Sequence, residues 1–168
     1  MIKGGGKAKG AQFERLLCGR LSLWASGGLK EDLYWRSAMS GGRATVAKER
    51  GTDLAAQAGD ISCVHPLGHQ FITTFYVELK FYKDLQFYGL LINKGNLANF
   101  WTVAKKESAR YSKLPLLIAK QNQQPIIACT SRTGLDVLNL KLKCSLTAPR
   151  LNFYAVLLED FLKYAKVP

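Results

Sequence analysis

Apolar residues along this chain recur at two different spacings, and the spacing changes several times. From Gly10 to Ala25, Phe13, Leu16, Leu17, Leu21 and Trp24 fall at helical intervals, and Gly27-Gly28 supplies a stop. Leu33-Tyr34-Trp35 is a short strand candidate. Residues 37–59 are rich in Gly, Ala and charge and carry no clear period. A mobile loop is expected there, with a turn at Ser40-Gly41-Gly42-Arg43 and a helical piece around Thr45–Glu49. Asp60–Val64 reads as a strand and His65–Gln70 as a turn. Phe71–Phe81, rich in β-branched and aromatic residues, reads as a long strand that would pair back on Asp60–Val64 as an antiparallel hairpin.

Farther along, Leu97–Ser112 has Leu97, Phe100, Trp101 and Ala104 on one side and is expected to be a helix with Asn96 as its N-cap. Leu114–Lys120 and Ile126–Cys129 read as two strands joined by the polar turn Gln121–Pro125. Residues 131–150 have no decisive pattern. Phe153–Leu158 reads as a strand or the start of a buried helix, and Glu159–Lys166 as a terminal helix. With no internal repeat and no linker, this order predicts an α/β or α+β architecture around a central mixed sheet.

Composition narrows the class. The chain has 168 residues, 48% of them hydrophobic, enough for one domain with a core. One domain over residues 10–168 is expected, preceded by a flexible basic arm at residues 1–9. No apolar run approaches the ~20 residues of a membrane helix, so no membrane association is expected. Met1–Gly10 is Gly- and Lys-rich and does not resemble a secretory signal. The cysteines, Cys18, Cys63, Cys129 and Cys144, show no C-x-x-C and no zinc-finger spacing, and read as reduced, mostly buried thiols of a cytoplasmic protein. His65 and His69 flank Pro-Leu-Gly, which favours a polar turn over a metal site.

Charge then points to a partner. Lys and Arg number 24 against 12 acids, a formal net charge of +12. Three of those lysines, Lys3, Lys7 and Lys9, lie in the arm, and +9 remains without them. A folded domain this basic is attracted to phosphate, because each neutralised phosphate releases a condensed counterion. The candidate DNA contacts are Lys7, Lys9, Arg36, Arg43, Lys48, Arg50, Lys83, Lys105, Lys106 and Lys120. Tyr82, Phe87 and Tyr88 interleave aromatic surface with this charge. They suit either base stacking or core and dimer packing.

The string with most chemical content is Val77-Glu78-Leu79-Lys80. In a strand Glu78 and Lys80 project to one face, with Val77 and Leu79 on the other. By itself E-x-K is a common surface ion pair. In the expected hairpin, however, Asp60 would lie beside Glu78, and two adjacent carboxylates repel unless a cation separates them. A hard divalent ion such as Mg²⁺ suits carboxylate oxygens and keeps waters for chemistry, with Mn²⁺ able to substitute. Lys80 would stabilise charge on a phosphate, and the whole would support phosphodiester hydrolysis. Glu14 lies at the edge of the first helix's apolar stripe, where an acid can turn inward.

The order of these pieces resembles a family. Lys9-Gly10-Ala11-Gln12-Phe13-Glu14-Arg15, then Gly59-Asp60-Ile61, then Val77-Glu78-Leu79-Lys80, is similar to the PD-(D/E)XK nuclease superfamily, most of all to the archaeal and phage Holliday-junction resolvases. The resemblance implies a restriction-endonuclease-like α/β core, a central mixed β-sheet flanked by α-helices. It also implies Mg²⁺-dependent hydrolysis of branched DNA, the four-way junction foremost, by a homodimer in a bacterial cell or phage-infected host. Asp60, Glu78 and the Leu79 carbonyl would be metal ligands, Lys80 the catalytic lysine and Glu14 the helix carboxylate of the acidic cluster. Ser40 sits where such resolvases place a functional serine. Gly59 stands at the family's nominal Pro position. The alternatives are a restriction-like or repair nuclease of the same fold acting on duplex or flap DNA, and a non-catalytic nucleic-acid-binding module.

Overall fold

The chain folds as two compact units, the first running to Thr73 and the second from Thr74. A computed structural model describes residues 5–37, 59–140 and 144–168, with side chains from Ala8 onward. The loop, turn and helical piece expected between residues 38 and 58 therefore lie outside the described residues.

In the first unit, α1 (Gly5–Ala25) ends at the expected place, where Gly27 and Gly28 take positive φ and the Gly28 N–H closes on the Leu23 carbonyl at 2.7 Å. Its start lies five residues before the expected Gly10, because Gly and Lys carry no apolar mark from which to read a period. Phe13, Leu17, Cys18 and Leu21 are buried. So is Ser22, whose hydroxyl donates to the Cys18 carbonyl (2.7 Å) and accepts from the Tyr34 N–H (3.0 Å). One serine thus ties α1 to β1 (Tyr34–Arg36), which pairs antiparallel with β2 (Ile61–Cys63).

The expected hairpin between Asp60–Val64 and Phe71–Phe81 does not form. The partner of β2 is β1, and Phe71–Thr74 is helical. His65 Nδ1 accepts from the Leu67 N–H at 3.2 Å and starts a 3-10 turn, Pro66–Gly68, which runs on into α2 (His69–Thr74). Phe71 then meets Trp24 edge-on at 5.1 Å and Tyr34 at 5.7 Å. That tertiary contact overrides the strand preference of its neighbours. Of the two histidines, His65 caps the turn as the sequence suggested, whereas His69 opens α2.

The second unit is built on a five-stranded mixed sheet of order β3-β4-β5-β7-β6. β3 (Phe75–Tyr82) runs parallel to β4 (Leu114–Gln121), and α3 (Gly95–Arg110) makes the crossover that parallel neighbours need. The strands β5 (Ile126–Thr130), β7 (Phe153–Leu157) and β6 (Leu146–Ala148) continue the sheet antiparallel. Two short helices, α4 (Arg132–Val137) and α5 (Leu158–Tyr164), pack against its strands.

α3 buries Leu97, Trp101 and Ala104 against Leu117, Ala119 and Phe153, with Trp101 edge-on to Phe153 at 5.5 Å. The expected N-cap, Asn96, is not the cap. Lys94 holds that place, and the Gln86 side chain accepts the Asn96 N–H instead (3.0 Å). Within the unpatterned stretch 131–150, Ser131 caps α4 by accepting from the Gly134 N–H at 3.2 Å. Phe153–Leu157 resolves as strand because it pairs on both edges. All four cysteines are free thiols, Cys18 and Cys129 buried and the other two half-buried. Among the described residues, no helix is long and apolar enough to cross a membrane.

Candidate active site

The strand β3 places Tyr76, Glu78, Lys80 and Tyr82 on one face by simple alternation. Glu78 is 9% exposed. Its two oxygens are both engaged: Lys80 Nζ lies 2.5 Å from one, and the Tyr76 hydroxyl donates to the other at 3.3 Å. A buried carboxylate is costly without a counter-charge and hydrogen-bond donors, and here neighbours two residues to either side supply both. Behind them stand aromatic rings. Tyr76 stacks on Tyr111 at 6.0 Å, Lys80 Nζ lies 5.9 Å over the Phe100 ring, and Tyr82 meets Phe100 edge-on at 5.3 Å. A carboxylate on one side and an aromatic face on the other hold the ammonium in a fixed position.

Tyr76 was missed by the sequence reading, although Tyr76-x-Glu78-x-Lys80 at period two was there to be read. Phe100 carried no comparable signal, because its place under Lys80 depends on how α3 packs.

The first unit holds a second acidic neighbourhood. Glu14 on α1 pairs with Arg36 Nε on β1 at 2.5 Å. Asp60, 9% exposed, directly precedes β2, and its carbonyl accepts the Ser37 N–H at 2.9 Å. Both acids act on one buried group. The Cys18 thiol is pushed up to about 12, first by burial, then by Glu14 and Asp60, with Arg36 opposing. Glu14 and Asp60, 46 positions apart, therefore share surroundings within this unit, with the Arg36 guanidinium among them.

The proposed DNA contacts fare unequally. Arg43, Lys48 and Arg50 lie outside the described residues, as do the side chain of Lys7 and the candidate functional serine, Ser40. Lys9, Lys83 and Lys106 are exposed. Lys105 is taken up by the fold: its ammonium donates to the Leu151 carbonyl at 3.0 Å, which also accepts from the Trp101 indole. Lys120 lies 5.2 Å over the Phe81 ring, and Arg36 is paired with Glu14.

A profile of the family described as "Phage putative PDDEXK endonuclease" matches residues 5–152. The chain belongs to that family. No curated protein and no solved structure matches it. The mixed five-stranded sheet flanked by helices is the restriction-endonuclease-like architecture of this superfamily. Membership implies a DNA substrate and a divalent metal. In donor type the residues fit such an ion: the Asp60 and Glu78 carboxylates and the Leu79 carbonyl are all hard oxygen ligands. Among the described residues, no three or more His, Cys, Asp or Glu side chains form a group that could hold a metal.

Proposed function

We propose that this endonuclease is a Mg²⁺-dependent, structure-specific enzyme that cuts branched DNA, the four-way junction foremost, as a two-fold dimer. The observation that carries the catalytic reading is the Tyr76-Glu78-Lys80 row on β3, a buried carboxylate with an ammonium fixed against it. Asp60, Glu78 and the Leu79 carbonyl would hold the metal, with Glu14 as the helix carboxylate. A divalent ion held there would supply Lewis-acid polarisation of the phosphate and a water made nucleophilic near neutral pH. Lys80 holds its charge where a scissile phosphate gains negative charge, and Tyr76 orients Glu78 by hydrogen bonding. Ser40 would be the functional serine of the catalytic set, as the resemblance to the resolvases implies. Branched DNA is supported by the order of motifs, most similar to that of the junction resolvases. A junction presents two symmetric scissile strands, which a two-fold dimer matches.

The test is a cleavage panel of four-way junction, flap, single-stranded and plain duplex DNA, run with Mg²⁺, with Mn²⁺ and with EDTA. Junction cleavage that needs metal and is lost in Asp60→Asn and Glu78→Gln, with DNA binding retained, is expected. Equal rates on plain duplex would remove the junction assignment. Cleavage at the wild-type rate by either variant would remove the site. Light scattering across a concentration series tests the dimer.

A further inference from the structure

Between β3 and α3 the chain makes a 3-10 turn, Phe87–Ile92, that is firmly built yet exposes apolar side chains. Tyr88 is 89% exposed, Leu91 82% and Ile92 67%, whereas Leu85 and Leu90 are buried beneath them. Hydrogen bonds fix the turn at both ends. The Leu85 N–H donates to Gln121 Oε1 (2.7 Å), the Leu97 N–H to the Leu85 carbonyl (2.9 Å), and Asn96 Nδ2 to the Asp84 carbonyl (2.8 Å). Gln86, Asn93 and Gly95 take left-handed φ values. A Cβ on Gly89 would come within 2.0 Å of the Lys94 carbonyl, so this turn closes only with glycine there. The ridge forms one wall of a cleft of about 780 Å³ whose other wall includes Leu146, Pro149 and Arg150.

A rigid turn that holds three large apolar side chains in water has no folding rationale, since their burial would stabilise the chain. We propose that the ridge and cleft receive unpaired bases of the DNA substrate, with Tyr88 as the stacking surface and Leu91 and Ile92 as a wedge. This rests on the endonuclease reading and names the feature by which a branched substrate differs from duplex. Charge selects this occupant. Arg150 lines the cleft, Lys83 and Lys94 flank the ridge in the chain, and Asp84 is the one acid in the stretch 83–94, so a base placed there brings its phosphates toward cations. A second copy would set the same cations against each other across a two-fold axis. Position agrees, because the ridge belongs to the connection that leaves the Glu78–Lys80 strand and enters the helix carrying Phe100. Apolar wedges and aromatic platforms are the two devices by which proteins hold unstacked bases.

Binding of the full-length protein to forked DNA carrying 2-aminopurine at the unpaired positions, and to duplex of the same sequence, tests this. Measured in Ca²⁺ without Mg²⁺, it does not depend on cleavage. Failure of the active-site reading would show separately, in cleavage by Glu78→Gln. Tyr88→Ala is expected to weaken fork binding about tenfold and duplex binding less than twofold, with loss of the 2-aminopurine signal. Tyr88→Phe, which keeps the ring, is expected to bind as wild type. Unchanged fork affinity in Tyr88→Ala would overturn the proposal. So would a wild-type dimer that Leu91→Ser converts to monomer without weakening fork binding, since the ridge would then be a self-interface.

Discussion

The two acidic neighbourhoods are assembled in opposite ways. On β3, the carboxylate, its cation and its hydroxyl donor come from five consecutive residues, and an eight-residue register with β4 fixes their common face. In the first unit, Glu14, Arg36 and Asp60 come from a helix and the edges of two three-residue strands, far apart in sequence. The β3 row is local and its geometry follows from strand alternation alone. The other is non-local, and its geometry depends on Ser22 holding β1 to α1. A motif in one strand can be found by reading; a constellation spread over three elements cannot be measured until the chain folds.

The sharpest way to break this comparison is to remove the cation of each neighbourhood in turn. Lys80→Ala is expected to lower the single-turnover cleavage rate by about 10²–10³-fold, the range for loss of one preorganised charge donor. Arg36→Ala, which only frees Glu14 of its partner, is expected to cost less than about tenfold. An equal or larger loss for Arg36→Ala would reverse the roles of the two regions.

Next in size is a contrast between tryptophans. Trp101, fully buried with its indole donating to the Leu151 carbonyl, is expected to cost about 3–5 kcal/mol as Trp101→Ala in urea denaturation. Trp35 in the first unit is exposed, and Trp35→Ala is expected to stay within about 0.5 kcal/mol.

A smaller loss tests the joint of the first unit. Ser22→Ala leaves the buried Tyr34 N–H without its acceptor and is expected to destabilise by about 1–3 kcal/mol, read from the urea midpoint. The first-unit neighbourhood should loosen with it, while the β3 row keeps its geometry.

The smallest effect is a pH slope. The Cys18 thiol is raised from 9.0 to about 12 in the fold. Below pH 9 it is protonated in both folded and unfolded chains and contributes no pH dependence. Between pH 9 and 12 the unfolded chain has released its proton while the folded chain keeps it, so stability falls as pH rises through that window. The difference in melting temperature between wild type and Cys18→Ala is expected to move against wild type from pH 8 to pH 10.5. Groups common to both proteins cancel in that difference. A flat difference would mean that the fold does not hold the Cys18 thiol buried.

Much of the fold was legible. The stop of α1, the face of α3 and the pair β4–β5 follow from apolar spacing and turn residues, which act over a few positions. Phe71–Thr74 was misread because β-branched and aromatic residues carry a strand preference, and only the contacts of Phe71 with Trp24 and Tyr34 reverse it. Asn96 was misread as a cap because nothing local marks Gln86, ten residues earlier, as the acceptor of its N–H. The parallel β3–β4 pair escaped for the same reason: a crossover partner lies a whole helix away.

By itself the amino-acid sequence determined the basic charge and the E-x-K strand with its acid and amine on one face. Each is a property of composition or of residues close together in the chain. Tertiary structure decided that β2 joins β1 and not β3, that Phe100 lies under Lys80, and that Tyr88, Leu91 and Ile92 stand in solvent. Those outcomes depend on which distant surfaces bury one another, and the free energy of such burial belongs to the assembled core and to no single segment.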